Sequence, residues 1–158
     1  MRRTYAIAFA ALAASLATIA AGARADDSMM SSGMKPVIFT PSTVKWEAGT
    51  GEFKGLTVAW MSGDPTKDGP WTVRLKAPAG AKFPVHYHND TEMVTVISGT
   101  FAAAIGDKFD ESKLMDLPAG SFVVIPAGIK HFAMAKTDCV VQLSGSKPFA
   151  MVMVKDSM

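Results

Sequence analysis

Beyond residue 35, turn-forming residues recur at intervals of about ten, a spacing that suits short strands and leaves no room for long helices. Pro41-Ser42, Gly49-Thr50-Gly51, Pro78-Ala79-Gly80, Asn89-Asp90, Pro118-Ala119-Gly120 and Pro126-Ala127-Gly128 all punctuate the chain, and residues 62–70 form a longer loop rich in Gly, Pro, Asp and Ser. The runs between them favour β-structure. Residues 71–76 alternate apolar and polar, the period of a half-buried strand. No stretch after the first 25 residues keeps a helical period. The pattern therefore predicts an all-β chain. Strands are expected at 37–40, 44–46, 56–60, 71–76, 92–97, 101–105, 114–117, 122–125, 131–135, 139–143 and 149–154, with residues 98–100 as a tight hairpin. So many short strands fit a sandwich or barrel, and a double-sheet jelly roll suits their number.

The N-terminus has a different texture. Arg2-Arg3 is followed by an apolar run over residues 5–21, then by Ala23-Arg24-Ala25 and Asp26-Asp27. Basic start, apolar middle and small-x-small end predict a secretory signal peptide over residues 1–25, cleaved after Ala25. A membrane anchor is the alternative, but the run is short for a span and built from Ala. The Arg pair weakly matches a twin-arginine signal. Residues 26–35 are small and polar apart from Met29, Met30 and Met34, and are expected to be a flexible leader before a single domain over 36–158. Three thioethers can hold a soft ion such as Cu(I), though weakly. This peptide would place the mature protein in the periplasm or outside the cell.

Cleavage would remove three arginines and no acids, turning the formal charge of +2 into −1. With no basic run, the chain lacks the electrostatic footprint of a nucleic-acid binder, and no nucleic-acid partner is expected. No second apolar segment is long enough to span a membrane. The single cysteine, Cys139, excludes an internal disulfide and sits in a strand-like run, where a buried structural thiol is expected over a metal ligand.

The three histidines are confined to two short segments. His86 and His88 are one residue apart, which on a strand aims both imidazoles to one face. Asn89 and Asp90 then turn the chain, so that Glu92 opens a strand expected to lie beside the first, with the parity of Val94 and Val96. His131 must come from a more distant strand. Three imidazoles and a carboxylate form a donor set for a divalent d-block ion: Fe, Mn, Ni, Cu or Zn, one per chain. Six-coordination would leave two positions for water or substrate.

The two segments are the strongest sequence signature in the chain. Gly80-x5-His86-x-His88-x3-Glu92-x6-Gly99 and Gly120-x5-Pro126-x-Gly128-x2-His131 resemble the two motifs of the cupin superfamily at every position and spacing. The resemblance implies a double-stranded β-helix, a jelly-roll β-barrel, with His86, His88, Glu92 and His131 as metal ligands. Cupins often carry an Asn four residues after the last histidine; here it is Ala135. Family members with this ligand set include dioxygenases, oxidases, decarboxylases and isomerases, and single-domain cupins are often homodimers. Residues 37–40 are a natural edge strand for pairing with a second copy.

Other pocket candidates follow from strand parity. Ala133 and Ala135 share a face with His131 and would leave room above the ion. Arg74, the sole arginine after residue 25, can clamp a substrate carboxylate or sit on the polar face with Thr72 and Lys76. Gln142 lies between apolar neighbours and is a second polar candidate. Tyr87 is expected to pack on the opposite face from the histidines, and Lys130 to face solvent. Asp107, Lys108, Asp110 and Glu111 form a solvated loop long enough to serve as a lid.

Functionally these features favour a metal-dependent enzyme on a small molecule, with dioxygenase or oxidase chemistry in front and Glu92 as ligand or general base. The alternatives are a non-catalytic module that binds a metal or small ligand, and periplasmic metal storage through the site and the Met-rich leader.

Overall fold

The computed structural model describes residues 36–155; the predicted signal peptide, the leader and its methionines lie outside the described residues. Eleven strands follow in chain order: β1 Glu47–Ala48, β2 Thr57–Ser62, β3 Trp71–Ala77, β4 Lys82–His88, β5 Glu92–Ser98, β6 Thr100–Ile105, β7 Met115–Pro118, β8 Phe122–Ile125, β9 His131–Ala135, β10 Cys139–Gly145 and β11 Met151–Met153. All pairings are antiparallel. Helical structure among the described residues is limited to two single 3-10 turns, Gly51–Phe53 and Glu111–Lys113, and no helix is long and apolar enough to cross a membrane.

Six strands make one sheet in the order β1-β2-β3-β10-β5-β8, and five make the other in the order β11-β4-β9-β6-β7. From β3 on, the chain crosses to the other sheet at nearly every turn. That alternation makes the jelly roll, and it corrects two local expectations. Gly99 does not close a hairpin, because β5 pairs with β10 and β8 while β6 pairs with β9 and β7. It is the corner where the chain leaves one sheet for the other. Its φ of 72° lies in the left-handed region, and a Cβ there would meet the Asp138 carbonyl oxygen at 2.2 Å, so no larger residue fits. Likewise β4 and β5 are not neighbours in a sheet; the turn at Asn89 and Asp90 carries the chain across the fold, so that Glu92 faces the histidines from the opposite sheet.

The first two expected strands are absent. Residues 37–40 join no strand ladder, Ile38 is 84% exposed, and the first strand is the two-residue β1. Val and Ile favour strands only where a partner edge exists.

Between the sheets, the alternation of β3 and β10 buries Val73, Leu75, Val141 and Leu143 against Phe101, Ala133 and Ala135 from the five-stranded sheet. The complementary parity places Arg74 and Gln142 on the outer face, joined by a 3.0 Å hydrogen bond from Arg74 Nε to Gln142 Oε1, with Thr72 and Ser144 paired beside them at 3.1 Å. The outer face of the five-stranded sheet carries a second apolar layer. Val85, Ala102 and Phe132 are fully buried there, and Phe109 packs on Phe132 with ring centroids 5.0 Å apart. The mixed-charge loop thus covers the back of that sheet rather than serving as a lid, held by Lys82 on Glu111 at 2.6 Å and by Asp110 capping Ser112. Cys139 is a buried core residue, and burial pushes its thiol up.

One connection ties the chain's C-terminal segment to the β4–β5 turn. Asp90 Oδ2 accepts from Ser146 N at 2.6 Å, Lys147 N at 2.8 Å and Ser146 Oγ at 3.1 Å, and Trp71 Nε1 donates to the Lys147 carbonyl at 2.7 Å. Partial burial pushes the Asp90 carboxyl up, but the hydrogen bonds from Ser146, Lys147 and Thr91 outweigh it and hold the group below the usual carboxylate range. Because the folded pKa is depressed, this contribution is present above the unfolded value near 3.8 and is lost as pH falls through the folded one. Asp90→Ala is expected to cost about 1–2 kcal/mol at neutral pH. Urea titrations of both proteins should show the difference shrinking in acid; an unchanged difference would remove the carboxylate from the account.

Candidate metal centre

His86 and His88 lie at the end of β4, His131 opens β9, and Glu92 opens β5 from the facing sheet. Their exposures are 4%, 7%, 3% and 8%, so four polar groups are buried together. The ligand atoms of the three histidines all lie within 4.8 Å of one another. Glu92 Oε2 is 3.5 Å from His88 Nε2 and 3.4 Å from His131 Nε2.

The backbone sets the direction of each ring. His86 Nδ1 is 2.6 Å from the Pro84 carbonyl oxygen, His88 Nδ1 is 2.8 Å from that of Ala150, and His131 Nδ1 is 3.0 Å from that of Ile129. A carbonyl oxygen only accepts, so each Nδ1 carries a proton and each ring is turned with Nε2 inward as its available ligand atom. His88 Nε2 is buried and has no hydrogen-bond partner. Such an atom normally carries a cost, and an ion at that point removes it. Burial, with the neighbouring His131 and His88, pushes His86 down to about 4, which keeps its ring neutral. Burial pushes Glu92 up, but the His131 imidazole beside it, with His88 and His86, outweighs this and holds the carboxyl below its ordinary range.

The separations suit a common ion. Two donors each about 2.1 Å from one metal are about 3.0 Å apart at right angles and about 3.4 Å apart at the tetrahedral angle. The Glu92 contacts, at 3.4 and 3.5 Å, lie at and just beyond the tetrahedral value. The residues present fit a divalent transition metal with three nitrogen donors and one oxygen.

A β-bulge sets the reach of β4. Phe83 pairs with Ala133 and His86 with His131, so β4 has one residue more than β9 over this interval. Pro84, which has no N–H to lose from the ladder, sits in the bulge. The extra residue turns Phe83 to the interior alongside His86 and His88, whereas simple alternation from the histidines would put it outside.

The metal-ligand candidates face a cavity of about 50 Å³ between the sheets. Phe83, Phe101, Leu117, Val94 and Ile125 line it, and Ala133 does so as well. Ala135 does not; it is fully buried in the closed end, where its N–H donates to the Ala81 carbonyl at 2.9 Å. Arg74 and Gln142, on the outer face, are also away from the cavity. Tyr87 pairs with Val152 on the face opposite the histidines, and Lys130 is exposed.

Three contributors were not evident from sequence. Phe149 packs at 5.4 Å from the His88 ring, at 5.3 Å stacked on Phe53 and at 5.6 Å edge-on to Trp71. Met151, opposite His88 in the β4–β11 ladder, lines the cavity too. Glu52, on the turn Gly51–Phe53, brings a second carboxylate to the lining. The single signal for Phe149 was its place after Pro148, which ends the loop that Asp90 holds.

A two-sheet jelly roll with three inward histidines and a carboxylate defines a cupin. Residues 34–149 match the model of the ChrR cupin-like domain, and the chain belongs to that family. No curated protein matches it significantly in sequence. Among solved structures, KdgF from Halomonas sp. is 21% identical with a TM-score of 0.56, covering 70% of this chain and 94% of its own. An RmlC-like cupin from Shewanella frigidimarina is 18% identical with a TM-score of 0.56, covering 72% and 92%. An oxalate decarboxylase from Bacillus subtilis, an enzyme described with Mn(II) centres, is 19% identical with a TM-score of 0.54; 75% of this chain aligns with 32% of that one. At these identities the likeness is one of fold.

Proposed function

We propose that His86, His88, Glu92 and His131 hold one divalent transition metal, Fe, Mn, Ni, Cu or Zn, and that the chain is an enzyme acting through it on a small molecule. The observation that carries this is the set of three carbonyl-anchored imidazoles aiming their Nε2 atoms at one point beside a buried carboxylate. Mn(II) in the Bacillus subtilis oxalate decarboxylase supports a metal on this fold. A bound redox-active ion would supply oxygen or electron-transfer chemistry, which puts dioxygenase or oxidase activity in front. The chain's own residues orient the site through Pro84, Ile129 and Ala150, exclude bulk water through Phe53 and Phe149, and offer Glu92 as ligand or proton acceptor. Residues 1–25 act in this reading as an export signal, so the mature protein works in the periplasm or outside the cell, as a homodimer.

Elemental analysis of protein purified without chelator or added metal tests the core of the proposal. About one d-block ion per chain is expected, with oxygen uptake on addition of a phenol, diketone or thiol if the ion is iron, copper or manganese. Failure to take up any of the five ions stoichiometrically would refute it. A second reading, a non-catalytic binding module, draws on the apolar walls, which offer no acid or base other than Glu92, Glu52 and the histidines. Stoichiometric metal and saturable ligand binding without turnover would select that reading.

A further inference from the structure

We infer, building on the metal reading above, that the cavity selects a small ligand that is apolar apart from one metal-binding donor and binds with no more than one negative charge, and that Glu52 at its lining discriminates against dianions.

The first support is the composition of the wall. Apart from the three histidines, Glu92 and Glu52, every lining residue is apolar; no lysine, arginine, hydroxyl or amide is among them. An anion leaving water for such a cavity needs a positive partner for each charge. Arg74 cannot serve: its Nε is engaged by Gln142 on the outer face of the six-stranded sheet. A divalent ion would already be half neutralised by Glu92. A ligand that loses one proton on binding, such as a thiol or an enol, brings the remaining charge to zero. A dicarboxylate brings one negative charge too many, with no group on the wall to meet it.

Glu52 adds to that asymmetry. It sits on the 3-10 turn Gly51–Phe53 and takes part in no hydrogen bond or ion pair among the described residues. It is the sole lining carboxylate besides Glu92. An exposed negative group at a low-dielectric opening repels anions and leaves neutral molecules unaffected. The dimensions set the size class. A cavity of about 50 Å³ is well below the ~150 Å³ that admits benzene in an apolar protein core, so a short aliphatic ligand fits where a ring would have to displace Phe149 or Phe53.

The test is a titration of the zinc-loaded full chain with ethanethiol, acetate and oxalate, read by NMR of the cavity methyls of Val94, Leu117 and Ile125. Ethanethiol is expected to bind at least about tenfold more tightly than oxalate. Glu52→Gln should tighten ethanethiol and acetate, each bound with one negative charge, by the same factor of about threefold and oxalate, bound with two, by about tenfold, and Glu52→Lys should widen that difference. Oxalate binding as tightly as ethanethiol, or anion affinities that ignore both substitutions, would overturn the inference. Zinc itself is followed through the histidine ring signals. If neither zinc nor any of the other four ions changes them, the metal reading falls, and the same titrations of the metal-free chain still decide the selectivity: methyl shifts with ethanethiol and none with oxalate uphold it, and the reverse ends it.

Discussion

His131→Ala is expected to lower metal affinity by at least about 100-fold and to reduce the metal recovered with the protein from about one equivalent to a trace. The effect is large because the site has no substitute donor. His131 is one of three imidazoles whose Nε2 atoms converge, it is 3% exposed, and its ring is 4.2 Å from that of His86, centroid to centroid. Alanine leaves two nitrogens and the Glu92 oxygen, and the buried carboxylate loses its nearest imidazole. Metal that binds the folded chain alone adds stability, about 4 kcal/mol at a thousandfold excess over Kd. Thermal unfolding with and without chelator should therefore show a large gap for the native chain and little for the variant. Full stoichiometry of metal in the variant would remove His131 from the ligand set.

Phe132→Ala should have the opposite profile: a loss of about 3–5 kcal/mol in folding stability with metal stoichiometry preserved. Phe132 follows His131 directly, yet strand alternation sends it to the other side of β9, where it is completely buried and packs on Phe109. A Gly106 Cβ would already come within 3.3 Å of its ring, so the site has no slack and cannot be refilled from that loop. Urea unfolding reads the loss, and Phe132→Leu should recover much of it. A cost below about 1 kcal/mol would mean that the loop over residues 106–113 is not part of the core.

The contrast between neighbouring residues shows how far sequence reasoning reaches. Parity along one strand was enough to separate His131 from Phe132, His86 from Tyr87, and Glu92 from Met93, because alternation is a local property of extended backbone. Parity failed for Phe83. The bulge at Pro84 shifts the register by one residue, and only the pairing of β4 with β9 reveals it. Parity was also insufficient for Arg74 and Gln142. It grouped Arg74 with Thr72 and Lys76 and set Gln142 apart from its apolar neighbours, but could not say that β3 pairs with β10 or which face of that sheet met the other sheet. The apolar partners Val73, Leu75, Val141 and Leu143 decide that by packing inward.

Turn chemistry had a similar limit. Gly99 was recognisable as a sharp reversal, since positive φ belongs to glycine, but a hairpin and a corner between sheets use the same residue. Which one forms depends on whether β6 gains more by pairing with β5 or with β9 and β7, a comparison of distant partners. Asp90 appeared as a turn former and proves also to hold the loop that carries Ala150 and Phe149 to His88. Those contacts join residues 56 to 62 positions apart, beyond any local pattern.

By itself, the sequence determined an all-β chain of short strands and two segments carrying three histidines and a glutamate at cupin spacing. Strand period, turn residues and donor chemistry are local and survive in a one-dimensional reading. The tertiary structure alone decided that Glu92 meets the histidines from across two sheets, that backbone carbonyls of Pro84, Ile129 and Ala150 orient the rings, and that the cavity is walled by apolar side chains with Glu52 as its additional carboxylate. Each of these depends on long-range packing, where the free energy of burying one face against another selects among arrangements that local preferences leave equivalent.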